Sequence, residues 1–365
     1  MRTNGATTTS ARRLPLRLPA TPAERRGVVR VLAAVAAVGM FLVYVMGTVV
    51  TNTGSGEGCG GTWPLCHGKW IPEFAVKTAI EYSHRVVTGI EGVLIVALAV
   101  GALVYFRQRL EVRVLVPLML VVLVAEAELG ALVVAYPKQP VVLAVHFGNS
   151  LVTLVSVVLL AAVLFEARGS DAVRDRPRPR AFPWVALGLI GLTYVVGYLG
   201  AYIEHLGLGP ACPDWPLCKG AVVPSLSGST GIVFAHRSAA LVLLLATAGV
   251  YLWARRMRRA RPDLARASGF ALVLVALQAL AGAYVVFSGD GLFSRLTHSG
   301  LLALYFLVVS YLFLHALPRP AAIRPRVNLE AARARQAARA RPRTSAVSAP
   351  TTAATTTEAG GTADA

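Results

Sequence analysis

The chain has 365 residues, 55% of them hydrophobic and only 15% charged, with a mean hydropathy of +0.61. That excludes a water-soluble enzyme of this length and indicates a membrane protein. The formal net charge of +18 would suggest nucleic acid in a soluble chain, but here the arginines stand in short blocks between apolar runs, so no nucleic-acid partner is expected.

A helix needs about 20 mostly apolar residues to cross about 30 Å of hydrocarbon, and eight such runs follow in order. They lie near residues 28–50, 76–106, 114–136, 140–166, 182–203, 231–254, 268–288 and 295–317. The first is longer than a signal-peptide core and lacks a small-residue cleavage site, so it is read as a span. Residues 1–27 read as a cytoplasmic arm, 167–181 as a cytoplasmic linker and 318–365 as a disordered cytoplasmic tail, with a solvated tail favoured over a basic surface helix at 329–341. With the amino terminus inside, the inner segments hold 29 of the 36 Lys and Arg residues, the asymmetry expected of cytoplasmic loops. The outer loops are then 51–75, a tight turn at 136–140, 204–230 and 289–294.

One offset of 152 residues carries Trp63-Pro64-Leu65-Cys66 onto Trp215-Pro216-Leu217-Cys218, His84-Arg85 onto His236-Arg237, and His146 onto His298. The chain is therefore a duplication. An even number of helices per repeat gives both halves the same orientation. The expected fold is an all-α membrane protein of two tandem four-helix bundles, 28–166 and 182–317, related by a pseudo-two-fold axis along the membrane normal.

All four cysteines fall in outer loops, where oxidation is expected, with Cys59 and Cys66 in one and Cys212 and Cys218 in another. Two disulfides are the natural reading, each closing a short loop over a bundle mouth. Whether they only rigidify the loops or take part in redox chemistry stays open at this point. Zinc would need about four tetrahedral ligands, and only His67 is near.

His67, His205 and His315 lie in outer loops or at helix ends, where a solvated or capped histidine is the simple reading. His84, His146, His236 and His298 instead sit just inside the outer ends of the second, fourth, sixth and eighth spans. Ionisable groups there are costly and mark function. Each pair is 62 residues apart, and two imidazoles at one level suit the axial positions of a haem iron. Non-haem iron would need more carboxylates than either half supplies. Arg85 and Arg237 are candidates for haem propionates, or else snorkel to the interface.

Two identical haem sites would make an electron conduit, so the departures from the repeat decide where chemistry occurs. Glu81 lies three residues before His84 on the same helix face, and its counterpart is Val233. A carboxylate beside one pair only points to proton transfer or transition-state stabilisation there. Asn149 against Leu301 leans the same way, while Glu126 and Gln278 correspond and suit interhelical hydrogen bonds.

Over about residues 28–317 these features resemble the haem A synthase family: eight spans, Glu81-x-x-His84-Arg85, His146, His236-Arg237, His298, and cysteine pairs ending in Trp-Pro-Leu-Cys. The resemblance implies oxidation of a ring methyl of haem O to a formyl group, giving haem A for cytochrome oxidase. It implies a resident haem b on His236 and His298, haem O on His84 and His146, and Glu81 assisting the oxidation. It further implies a Cys59–Cys66 disulfide relevant to substrate handling, a bacterial-type plasma membrane, and as partners the farnesylating haem O synthase and cytochrome oxidase assembly factors. The cysteine spacings differ, with six intervening residues in one pair and five in the other, so the loops need not superpose.

The main rival is a bis-histidine two-haem electron carrier resembling a cytochrome b quinol oxidoreductase, against which Glu81 and the unequal halves argue. A thiol-oxidising membrane protein would leave the four histidines without purpose. A transporter would call for helices broken by Gly or Pro at midplane.

Overall fold

The computed structural model describes residues 21–137, 139–166 and 174–318. Among them are eight helices long and apolar enough to cross a membrane and no strands, only isolated bridges in two loops. They are α1 (Pro22–Asn52), α2 (Val76–Phe106), α3 (Leu110–Ala135), α4 (Pro140–Phe165), α5 (Phe182–His205), α6 (Gly228–Arg256), α7 (Pro262–Phe287) and α8 (Leu292–Ala316). The tail and the segment 329–341 lie outside the described residues.

The repeat is visible in the helix starts: α2, α3 and α4 begin at 76, 110 and 140, and α6, α7 and α8 at 228, 262 and 292, each 152 residues later. Proline at the first helical turn fixes several of these starts, because its missing N–H is one that no helix satisfies there anyway. The first helix begins before its apolar run does. Thr21 and Glu24 form a reciprocal capping box ahead of Val28, which satisfies the first amides and extends the helix into the basic segment.

Burial is one-sided, and the other side is apolar too. On α1, Ala33, Ala36, Met40 and Val43 are buried while Val31, Val35, Val38 and Leu42 are exposed, the arrangement of a helix facing protein on one side and lipid on the other. Within each half the helices pack in a ring, α1–α2–α3–α4 and α5–α6–α7–α8, and across the seam α4 meets α5 and α8 while α1 meets α8. The halves share a core: Leu302, Ala303 and Phe306 of α8 belong to the cluster built by α1, α2, α3 and α4. The phenol of Tyr44 donates to the Ser299 carbonyl, and Arg295 donates to Asn52 at 2.8 Å, both across that seam.

The arginines counted as topological signals also have structural work. At the C-terminal ends of α4 and α8 the last carbonyls have no intrahelical partner. Arg30 and Arg109 donate to Leu164 and Val163, and Arg174, Arg178 and Arg261 donate to Leu314, Ala316 and His315. Cations there also complement the negative helix ends. Glu166 joins the two sets, 2.5 Å from His315, 3.6 Å from Arg174 and 3.7 Å from Arg109. His315 is thus buried and structural rather than solvated.

Candidate functional site

His84 and His236 each lie eight residues into α2 and α6, and His146 and His298 each six residues into α4 and α8. The offset between the halves therefore gives the second pair the same helix positions as the first. The structure places His84 close enough to His146, and His298 to His236, for their charges to interact.

Glycines on the neighbouring helices make room for the rings. A Cβ on Gly47 or Gly130 would stand 3.4 Å from His84 Cε1 or 3.6 Å from His146 Cε1, and one on Gly200 or Gly282 would stand 3.1 Å from His236 Cε1 or 3.2 Å from His298 Cε1. Nδ1 of His84, His146 and His298 is buried with no hydrogen-bond partner. His236 commits its Nδ1 to the Val196 carbonyl at 3.1 Å, which orients the ring and leaves Nε2 to act. Two imidazoles brought near one another in each half, three of the four with an unpartnered Nδ1, fit the axial positions of a haem. Among the described residues no three His, Cys, Asp or Glu side chains converge to hold a bare metal ion.

The corresponding residues Glu126 and Gln278 both reach across to the next helix. Gln278 Nε2 lies 3.3 Å from His298 Nε2. Glu126 accepts from Asn149 at 2.6 Å and from Ser150, and stands 3.4 Å from His146 Nδ1. Asn149 is thereby tied to the first pair through Glu126.

Glu81 is 4% exposed. It accepts the Cys59 amide at 2.8 Å and pairs with Arg85 at 2.5 Å. The carboxylate therefore connects α2 to the disulfide loop above it. Arg85 also donates through Nη1 to the carbonyls of Thr62 and Leu65. Arg237 repeats this on Asp214 and Leu217, and its Nη2 takes the Cys212 carbonyl where Arg85 takes Glu81. Both guanidiniums are turned onto the loops, and Val233 packs against Cys212 and Cys218 in place of the acid.

Disulfides join Cys59 to Cys66 and Cys212 to Cys218, with Cα atoms 4.5 and 4.7 Å apart. The unequal spacing affects only the first cysteine of each pair. Beyond it the loops agree: Cys66 pairs with Lys69 and Cys218 with Ala221, His67-Gly68 and Lys219-Gly220 share positive φ, and both Trp-Pro bonds are cis. Asp214 accepts the Lys219 and Gly220 amides. Those bonds, Gly220 foremost, hold its carboxyl below the usual range. His67 is an ordinary loop residue bonded to the Gly58 carbonyl.

Two polar residues near the first site go beyond the sequence argument, which read His205 as a solvated or capped histidine and did not single out Glu91. His205, at the end of α5, has a buried Nε2 without a partner and lies within electrostatic reach of His146. It adds a third imidazole there from the other half, and its departure from repeat-equivalent Thr53 was the signal available. Glu91 is 3% exposed on α2, opposite Leu243 by the same offset.

Fold and site together define a polytopic helical membrane protein with two half-buried imidazole pairs beside disulfide-closed loops. The chain belongs to the COX15-CtaA family, described as cytochrome oxidase assembly protein, whose family model matches residues 71–311. It is 40% identical over 281 residues to the heme A synthase of an Exiguobacterium species, covering 76% of this chain and 90% of that protein. It is 36% identical to the heme A synthase of Symbiobacterium thermophilum (76% and 92% covered) and 34% identical to that of Alkalihalophilus pseudofirmus (78% and 95% covered).

Proposed function

We propose that this protein makes haem A from haem O for cytochrome oxidase assembly, oxidising a ring methyl to a formyl group. The observation that carries this reading is the pair of matched imidazole sites with an acid beside only one of them, Glu81 against Val233. Membership of the family and the similarity to heme A synthases support it.

In this reading residues 28–166 form the substrate half and 182–317 the cofactor half, related by a pseudo-two-fold axis along the membrane normal. His84 and His146 take haem O, and His236 and His298 hold a resident haem b. The termini are cytoplasmic, the membrane is the bacterial plasma membrane, and haem O synthase and oxidase assembly factors are the partners. Bound haem supplies the iron-centred redox chemistry that a side chain cannot.

The chain's own residues orient and shield. The glycines set each imidazole against the neighbouring helix, and the Val196 carbonyl fixes the His236 tautomer. Glu81 acts at the outer edge of the first site, where its carboxylate receives or returns protons while Arg85 and the Cys59 amide fix its position. Arg85 and Arg237 hold the loops closed over the two mouths, so a propionate reaching either would meet a guanidinium already engaged on carbonyls.

The test is haem extraction and chromatography of purified variants made with haem O synthase present. His236→Ala and His298→Ala are expected to lose haem b, and Glu81→Ala to keep haem b but accumulate haem O. Undiminished haem A from Glu81→Ala would remove its catalytic role. A two-haem electron carrier would bind haem b equally at both sites and never oxidise haem O.

A further inference from the structure

On α2 the residues Glu81, His84, Thr88, Glu91, Ile95, Leu98 and Ala102 recur at spacings of three and four, so they share one helix face. Glu81, Glu91, Ile95, Leu98 and Ala102 are buried. The face is polar in its outer half and apolar in its inner half. The same face of α6 reads Val233, His236, Ala240, Leu243, Thr247, Val250 and Ala254. In the outer half, therefore, only the histidine is common to both, and the polar column Glu81–His84–Thr88–Glu91 belongs to the first site alone.

Glu91 has a buried Oε1 without a hydrogen-bond partner. Its carboxyl lies directly over Gly39 of α1, where any side chain would collide with Oε2. Gly47 lies against the His84 ring, where a Cβ would stand 3.4 Å from Cε1. The steps from 39 to 47 and from 91 to 84 are nearly equal, so α1 accommodates the column at both levels. A carboxyl inside a membrane helix without a partner is costly and is by default a functional group, and leucine serves at the equivalent place. Below it Ile95, Leu98 and Ala102 are each 0% exposed and offer no polar route inward. Above it stand Thr88, whose hydroxyl is bonded only to the Arg85 carbonyl, and then His84, roughly 10 Å away at 1.5 Å rise per residue.

We propose that Glu91 is a proton-holding residue of the first site, taking up a proton from the His84 level by way of Thr88 when an electron enters that site and returning it when the electron leaves. The proposal rests on the haem reading of His84 and His146. One proton moves with one electron, and no bond of the substrate changes in the step. The uptake offsets the added negative charge in a region of low dielectric, where an uncompensated charge is expensive. Val35 to Val43 of α1, packed over Glu91, carry no titratable side chain. The titratable groups around the column are Tyr44 on α1 between Gly39 and Gly47, His146 within electrostatic reach of His84, Glu126 and His205 beside His146, and Arg85 paired with Glu81, besides Glu81 and His84 on α2 itself.

The experiment is redox-difference infrared spectroscopy and potentiometry on the full-length, haem-loaded protein, comparing wild type with Glu91→Gln, Glu91→Leu and Glu91→Asp. A carboxylic C=O band that changes on reduction is expected in wild type, absent in Glu91→Gln and Glu91→Leu, and shifted but retained in Glu91→Asp. The first-site potential is expected to move by up to about 59 mV per tenfold change in proton concentration, with a shallower slope in Glu91→Gln. Haem content should be unchanged, since leucine is tolerated at the equivalent place. An unaltered band and slope in Glu91→Gln and Glu91→Leu would overturn the proposal. If His84→Ala leaves haem content and spectra untouched, the haem reading of the first pair fails instead, which separates the two.

Discussion

Replacing Gly282 by alanine is expected to weaken haem binding at the second pair, while the same change at repeat-equivalent Gly130 is expected to be nearly silent at the first. A Cβ at 282 would stand 3.2 Å from His298 Cε1, and one at 130 would stand 3.6 Å from His146 Cε1. The second distance is ordinary van der Waals contact. The first requires the imidazole to retreat by a few tenths of an ångström. A free ring could swing away, but a ligating ring with Gln278 3.3 Å from its Nε2 has little room to do so. Overpacking of this kind costs about 1–3 kcal/mol, which corresponds to a roughly 5- to 150-fold loss of affinity. Alanine also favours a helix over glycine by about 1 kcal/mol. That gain applies to both variants and is read separately, as thermal unfolding of the haem-free protein. Haem titration followed by reduced-minus-oxidised absorbance gives the affinity of each site. Equal losses in Gly282→Ala and Gly130→Ala, or none in Gly282→Ala, would refute the reasoning. Gly200→Ala, at 3.1 Å from His236, should behave like Gly282→Ala.

Arg174→Ala removes a buried cation from Glu111 and Glu166, so a loss of about 3–5 kcal/mol is expected for the broken buried network, measured by denaturant unfolding in detergent. The double change Cys212→Ser and Cys218→Ser opens a short loop worth roughly 2.5 kcal/mol in the chain-closure model; hydrogen exchange should rise across residues 209–221 while haem b is retained through His236 and His298. Asp214→Asn should strip protection from the Lys219 and Gly220 amides at neutral pH. The carboxyl of Asp214 is held below its ordinary value, so its stabilisation of the loop is present above that ordinary value. It is lost as pH falls through the depressed one, and protection in wild type should approach that of the variant only in acid.

The spans and the repeat were legible because each rests on many residues at once. Eight apolar runs and one offset shared by four features leave few alternatives, and the helix starts agree with that offset residue for residue from α2 to α4. Helix ends were less legible. Thr21 and Glu24 extend α1 ahead of its apolar run, because capping is decided by two polar side chains that a hydropathy average overlooks. The histidine positions along their helices followed from counting alone. The targets of Arg85 and Arg237 could not be counted: a guanidinium at the membrane boundary can turn to a propionate, to lipid headgroups or to loop carbonyls, and here the carbonyls take it.

The most informative sites are those where the halves disagree, and comparison by offset finds them without a structure. Glu81 against Val233 was found that way. His205 against Thr53 and Glu91 against Leu243 were present in the same comparison, but a lone histidine at a helix end and a lone acid in an apolar run each have a simpler reading in isolation. Packing changes that reading. It closes α1 over Glu91 through Gly39 and brings His205 from the second half to His146 in the first. It also explains why Glu81 is linked to the loop at all. Arg237 binds its loop through three carbonyls, whereas Arg85 gives Nη2 to Glu81, and Glu81 in turn takes the Cys59 amide. The acid at the position equivalent to Val233 thus reroutes one arginine contact through a carboxylate, which ties the first disulfide loop to α2 three residues before His84. The second half has no such connection.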